Sequence, residues 1–156
     1  LANNLTGWVA YTLSRAERID SGSTETRLFD FDQTHILTVV ASYVLPRNWL
    51  VSSRFRLVSG NPSTPVVRAV FDAGSDTYQP VYGAVNSDRD PAFHQLDLRI
   101  DKRWIYQSWI FGAYLDIQNV YNAENPEIYL NDYRFVKTAT VRGLPFLPTL
   151  GVTGAF

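Results

Sequence analysis

The sequence predicts an all-β protein and, within that class, an antiparallel transmembrane β-barrel segment belonging to a larger barrel. Three observations carry the expectation. Segments alternate strictly between apolar and polar residues, connections alternate between short and long, and aromatic residues gather at one end of the strands. Alternation has period two, the period of a strand with one face on an apolar phase.

The alternating segments follow in chain order. In 5–14, Leu5, Val9, Tyr11 and Leu13 oppose Thr6, Trp8, Thr12 and Ser14. In 34–45, Leu37, Val39, Ala41 and Tyr43 oppose Thr34, Thr38 and Ser42. In 48–59, Trp49, Val51, Phe55 and Leu57 oppose Arg54 and Arg56. In 95–104, Leu96, Leu98 and Ile100 oppose Gln95, Asp97, Arg99 and Asp101. In 108–118, Trp109, Phe111, Ala113, Leu115 and Ile117 oppose Ile110, Gly112, Tyr114, Asp116 and Gln118. The last stretch sets Leu150, Val152, Gly154 and Phe156 against Thr149, Gly151 and Thr153. Most of these approach the ~9–11 residues with which a tilted strand crosses a bilayer.

The connections run long (15–29), short (around Pro46 and Arg47), long (60–92), short (105–107) and long (119–145). Outer-membrane barrels have this rhythm, with long extracellular loops and short periplasmic turns. With that orientation, Tyr43, Trp49, Trp104, Trp109 and Phe156 fall on the apolar face beside the short turns. They form a lipid-interface girdle, where amphipathic rings sit at headgroup depth. The opposite face gathers Arg54, Arg56, Asp97, Arg99, Asp101 and Asp116. A dry core holds that many charges only with near-complete pairing, whereas a hydrated or plugged lumen accommodates them. These six are the candidate ligand- or plug-contacting residues.

Composition narrows the function classes. The 156 residues are 46% hydrophobic and 19% charged, which excludes intrinsic disorder. A net charge of -1 gives no bulk basic field for nucleic acid. The absence of Cys removes disulfides and thiolate metal sites, and no apolar run reaches the ~18 residues of a transmembrane helix. The two histidines, His35 and His94, sit at strand ends, where an interfacial hydrogen-bonded role outweighs a metal or Ser-His-acid role. Asp72, Asp76, Asp88 and Asp90 do not have EF-hand spacing and read as a solvated loop. No metal site, cofactor or enzymatic activity is expected. Tyr78, Tyr82, Tyr129 and Tyr133 occupy the long loops, suited equally to ligand recognition and to loop packing.

Several runs then fall in a familiar order. Phe29-Asp30-Phe31-Asp32-Gln33-Thr34-His35 enters a strand, and Ser59-Gly60-Asn61-Pro62 with Thr64-Pro65 follows another. Gln95-Leu96-Asp97-Leu98-Arg99-Ile100-Asp101-Lys102 precedes Tyr114-Leu115-Asp116-Ile117-Gln118-Asn119-Val120-Tyr121-Asn122. The chain closes on Gly143-Leu144-Pro145-Phe146-Leu147-Pro148 and Phe156. Together these resemble the C-terminal barrel strands of TonB-dependent outer-membrane receptors across nearly the whole of 1–156. Gly154 departs from the pattern, since barrel C-termini often carry a larger apolar residue there.

The resemblance implies a bacterial outer-membrane location and a barrel with an N-terminal plug domain, which this chain does not carry. It implies uptake of a scarce nutrient such as a siderophore, cobalamin or oligosaccharide, energised through the TonB complex. The implied partners are outer-membrane lipid, the plug and remaining strands, and the assembly machinery acting on the last strand. Six strands fall short of the eight of the smallest bacterial barrels, so the chain is expected to be part of a longer wall. The alternatives are another outer-membrane barrel, either a porin-like channel or an adhesin, and a soluble β-sheet binding module.

Overall fold

The computed structural model describes residues 4–156. Among them there is no helix, and the organising element is one six-stranded antiparallel sheet. Its strands are β1 (Leu5–Leu13), β2 (His35–Leu45), β3 (Trp49–Val58), β4 (Phe93–Ile105), β5 (Ile110–Gln118) and β6 (Leu147–Ala155). Each pairs with the next in chain order, so the sheet is a meander. It is not closed: β1 and β6 are its two edges. Pro148, which cannot donate to a ladder, lies in the edge strand β6, where prolines are tolerated.

The ladders carry the alternation across the sheet without a register shift. Val9 lies opposite Val39, Val39 opposite Phe55, and Phe55 opposite Leu96. Leu98 then meets Ile117, and Leu115 meets Leu150. One face is therefore apolar from edge to edge. The other follows its own row: Thr6, Ser42, Ser52, Arg99, Asp116 and Thr149.

The sheet is a single layer, so its central side chains are half-buried on both faces and its edge strands are the most open. Among the described residues the one buried hydrophobic side chain is Val58, whereas Val9, Leu150 and Val152 are 67%, 83% and 70% exposed. The buried polar side chains are Asp32, Asn86, Asp97, Asn119 and Asn125. Each finds partners, since no buried side-chain nitrogen or oxygen among the described residues lacks a hydrogen bond.

The short connections lie at one end. Pro46 to Asn48 close β2 on β3, with Arg47 and Asn48 both in the left-handed region (φ 63° each). Tyr106 to Trp109 close β4 on β5, and Tyr106 N–H donates to the Trp109 carbonyl at 2.9 Å. This corrects one boundary: Trp109 sits in the turn, not in the strand, and its ring stacks on Tyr106 at 4.3 Å. Phe156 likewise lies one residue beyond β6.

The long connections are not plain loops, as the sequence reading had them. Each folds into hairpins: Glu17–Ile19 with Thr26–Leu28, Val66–Asp72 with Thr77–Tyr82, and Pro126–Asn131 with Thr138–Arg142. A two-residue pair, Pro62–Ser63 with Asp88–Arg89, ties the stem of the second connection. The turn chemistry is local. Asp72 accepts from the Gly74 N–H at 2.9 Å and from Ser75 Oγ at 2.8 Å, and Asp76 takes a positive φ.

The stem of the second connection depends on Gly60. A Cβ there would stand 1.9 Å from the Asp90 carbonyl oxygen. Gly60→Ala is expected to push the stem apart at about 1–3 kcal/mol, the usual cost of overpacking. Limited trypsin digestion checks it. Cleavage within 60–92 should quicken while the strands of the six-stranded sheet stay protected; a parental cleavage rate would contradict the close approach.

Candidate functional site on the charged face

Alternation sends Arg54, Arg56, Asp97, Arg99, Asp101 and Asp116 to the same side of the sheet, and the ladders decide which of them meet. Arg54 lies opposite Asp97. Arg54 Nε and Nη2 donate to Asp97 Oδ2 at 3.0 and 2.7 Å. The other carboxylate oxygen accepts from Gln95 Nε2 at 2.6 Å and from the Asn119 N–H at 3.0 Å. Asp97 is 7% exposed and fully used.

Arg99 lies opposite Asp116 but reaches along its own strand instead. Its Nε and Nη2 meet the two oxygens of Asp101 at 2.9 and 2.8 Å, a bidentate pair. Its guanidinium covers the Tyr114 ring at 3.9 Å. Tyr114 in turn lies across Gly151, where a Cβ would come 2.3 Å from the ring. A glycine on the edge strand thus makes room for the ring that holds Arg99 flat.

Two of the six charges remain without an ion pair among the described residues. Asp116 joins Arg54, Asp97 and Arg99 around a shallow concavity of about 230 Å³. Arg56 has no carboxylate partner, and its guanidinium lies 5.3 Å from the Phe93 ring. The face is therefore an ordered ladder of charges with unpaired members at both ends.

The girdle residues gather at the short-turn end on the apolar face. Tyr43, Trp49, Trp104 and Trp109 are 38–47% exposed, and Trp104 packs on Phe111 at 5.4 Å. Lys102 joins them. Alternation puts this charge on the apolar face, which the sequence reading passed over. Its ammonium lies 5.3 and 5.6 Å from the Trp49 and Trp104 rings and donates to the Arg47 carbonyl. A lysine stem running along an apolar surface to reach polar groups at its end is snorkelling.

Both histidines take the same arrangement at the opposite end. Tyr11 Oη meets His35 Nδ1 at 2.8 Å, and Tyr121 Oη meets His94 Nδ1 at 2.8 Å, with the rings stacked in each pair. His94 is held further by Asn125, which accepts from its N–H at 3.0 Å and donates to its carbonyl at 2.9 Å. Among the described residues no three His, Cys, Asp or Glu side chains converge as a metal site would require.

The loop-side end is knitted by side chains that sequence reasoning did not single out for that role. Asp32, 1% exposed, accepts from the Ala16 N–H at 2.6 Å, from Thr34 Oγ1 at 3.1 Å and from Arg89 Nη2 at 2.5 Å. Arg89 Nη1 also donates to the carbonyls of Asp32 and Gly60, both at 2.9 Å. One carboxylate thus ties the first long connection to the second. Asn119 does the same for the third, donating to the Ala123 and Leu144 carbonyls at 3.0 and 2.8 Å. The Phe-Asp-Phe-Asp run was the available signal for Asp32; nothing near it pointed to Arg89.

No protein-family model, curated protein or solved structure matches this chain.

Two outcomes follow. Asp97→Ala strands the buried Asn119 N–H and leaves Arg54 unpaired; a loss of roughly 1–3 kcal/mol is expected from the orphaned donor. Urea titration reads it, and a parental midpoint would contradict the pairing. The Arg89 guanidinium, followed by the Ala16 N–H, holds the Asp32 carboxyl below its ordinary value. A depressed carboxylate stabilises the fold above its unfolded pKa, and that contribution disappears as pH falls through the folded value. Protection of the Ala16 amide, its exchange relative to the intrinsic rate at each pH, should therefore hold at neutral pH and be lost only in acid below the usual aspartate range. Loss of that protection already near pH 6 would contradict it.

Proposed function

We propose that this chain is a stretch of the wall of a bacterial outer-membrane β-barrel of the TonB-dependent receptor type, serving nutrient uptake rather than chemistry. The observation that carries the reading is the two-sided pattern of the sheet: a face of Val, Leu, Ile and aromatic side chains, half-buried on the central strands and exposed on the edge strands, backed by a face of ordered charges. Water does not favour such a face, and contiguous apolar patches larger than a few hundred Å² are rare on soluble monomers. A bilayer does favour it, and the same bilayer forbids the two unpaired edges unless further strands close the wall.

The proportions fit that setting. On β3, Trp49 marks the short-turn end and Leu57, opposite His94, the loop end. At ~3.3 Å per residue that separation spans roughly 26 Å along the strand, about 20 Å of height at a ~40° tilt, which approaches the ~25 Å apolar band of outer-membrane barrels. The Trp, Tyr and Lys102 cluster then lies at one headgroup level and the two Tyr–His pairs near the other. The charged face looks into the lumen, where a plug domain would meet Arg54, Arg99 and Asp116. In this reading energy reaches the barrel through the plug and the TonB complex, and the last strand engages the assembly machinery. The chemical class of the nutrient is not fixed by this reading; siderophores, cobalamin and oligosaccharides are examples the resemblance supplies.

Leu98→Arg tests the apolar face at mid-strand. A cost of about 2–4 kcal/mol is expected for a basic residue near the bilayer midplane. Immunoblots of fractionated cells, using an antibody to the end of the chain, should show the parent in the outer membrane and the variant depleted from it. Equal assembly of the variant would overturn the face assignment. A parent protein found wholly in the soluble fraction would overturn the membrane reading.

A further inference from the structure

Between the stem of the second long connection and the hairpin of the third lies a cleft of about 290 Å³, at the loop end of the charged face. A second concavity of about 390 Å³ adjoins it, sharing Pro91, Pro126 and Tyr129. These volumes approach or enter the range of small-molecule sites, roughly 300–1,000 Å³. One wall of the first cleft is apolar and aromatic, made by Phe93, Tyr129 and the two prolines. Its charges are Arg56, Asp90 and Glu127.

These three charges are not spent on each other. Among the described residues Arg56, Asp90 and Glu127 enter no ion pair and no side-chain hydrogen bond. Every arginine of the neighbouring network is committed, Arg54 to Asp97, Arg89 to Asp32 and Arg142 to Glu124. Arg56 is instead held against Phe93, and Asp90 lies close enough to Tyr129 to add, after burial, to the rise in its phenol pKa. Opposite charges left separate in one cleft are complemented by a ligand that carries opposite charges apart from one another. A polyanion would meet two carboxylates against one guanidinium, and a neutral sugar would leave all three unmatched.

We propose that this cleft binds a short zwitterionic peptide with both termini free. The peptide carboxylate sits on Arg56, its ammonium between Asp90 and Glu127, and its side chains lie against Tyr129, Phe93 and the prolines. The assignment deepens the receptor reading and rests on it only for the direction in which the cleft opens.

Equilibrium dialysis of the full chain in detergent against a pooled library of tripeptides with free termini, read by mass spectrometry, tests it. Peptides should be retained, and the same library acetylated at the amine or amidated at the carboxylate should bind about tenfold more weakly, the loss expected for a charge-assisted contact. Arg56→Gln should abolish the preference for a free carboxylate and keep that for a free amine; Glu127→Gln with Asp90→Asn should do the reverse. Both sites are at the surface, so the variants are expected to keep the parental β-sheet circular dichroism spectrum. Retention unaffected by capping, or no retention of free tripeptides by the folded parent, would overturn the proposal. So would cleft-dependent retention of maltotriose or citrate in their place. Binding is read separately from membrane location, so loss of one reading does not conceal the state of the other.

Discussion

Strand pairing has period two, so a slip of one residue between neighbours would carry a whole apolar row to the opposite side. The ladders joining the six sheet strands contain no such slip. Everything else in the molecule depends on that constraint. Because the register is kept, Val39, Phe55, Leu96 and their neighbours form one surface, and Arg54 comes opposite Asp97 rather than opposite a leucine. The turns enforce it at one end, with left-handed Arg47 and Asn48 closing β2 on β3. Buried asparagine and aspartate side chains enforce it at the other.

That division of labour explains how a domain with almost no buried hydrophobic side chain is held together. Its interior interactions are polar and directional. Asp97 gathers two strands and the start of the third long connection onto one carboxylate. Asp32 gathers the first connection and the second. Hydrogen bonds of this kind contribute modestly when made and cost more when one partner is removed. They fix a single arrangement of the loops without a hydrophobic core beneath them. The hydrophobic contribution is displaced to the outer surface, where it depends on what that surface meets.

Much of this was legible in the sequence, because alternation and turn length are local properties. The six sheet strands, their faces, the rhythm of their connections and the charged row all follow from neighbours one or two residues apart. The positions of Tyr43, Trp49 and Trp104 beside the short turns follow from the same alternation, whereas Trp109 lies in a turn and Phe156 beyond the last strand. The hairpins inside the long connections were less legible, since their short strands, such as Glu17–Ile19, carry little alternation. Contacts across long sequence separations were not legible at all. Arg89 and Asp32 meet across 57 positions, and nothing local to either announces the other. Arg99 shows the same limit at short range: its register partner is Asp116, yet backbone spacing lets it take Asp101 in a bidentate grip. Lys102 was overlooked because a lone charge on an apolar phase makes sense only when the polar end of the strand is known.

The measurement that tests the account most directly uses the four tryptophans, which the register divides between the two faces. Trp49, Trp104 and Trp109 belong to the apolar side at the short-turn end, whereas Trp8 pairs with Val40 in the row of Arg54 and Asp97. Variants of the full chain retaining one tryptophan each, reconstituted in bilayers, can be titrated with lipids brominated at set depths. The account predicts strong quenching of Trp49, Trp104 and Trp109 by bromines near the headgroups and little quenching of Trp8 at any depth. Equal quenching of Trp8 and Trp104, or none of either, would contradict the claim that one face meets lipid and the other a lumen.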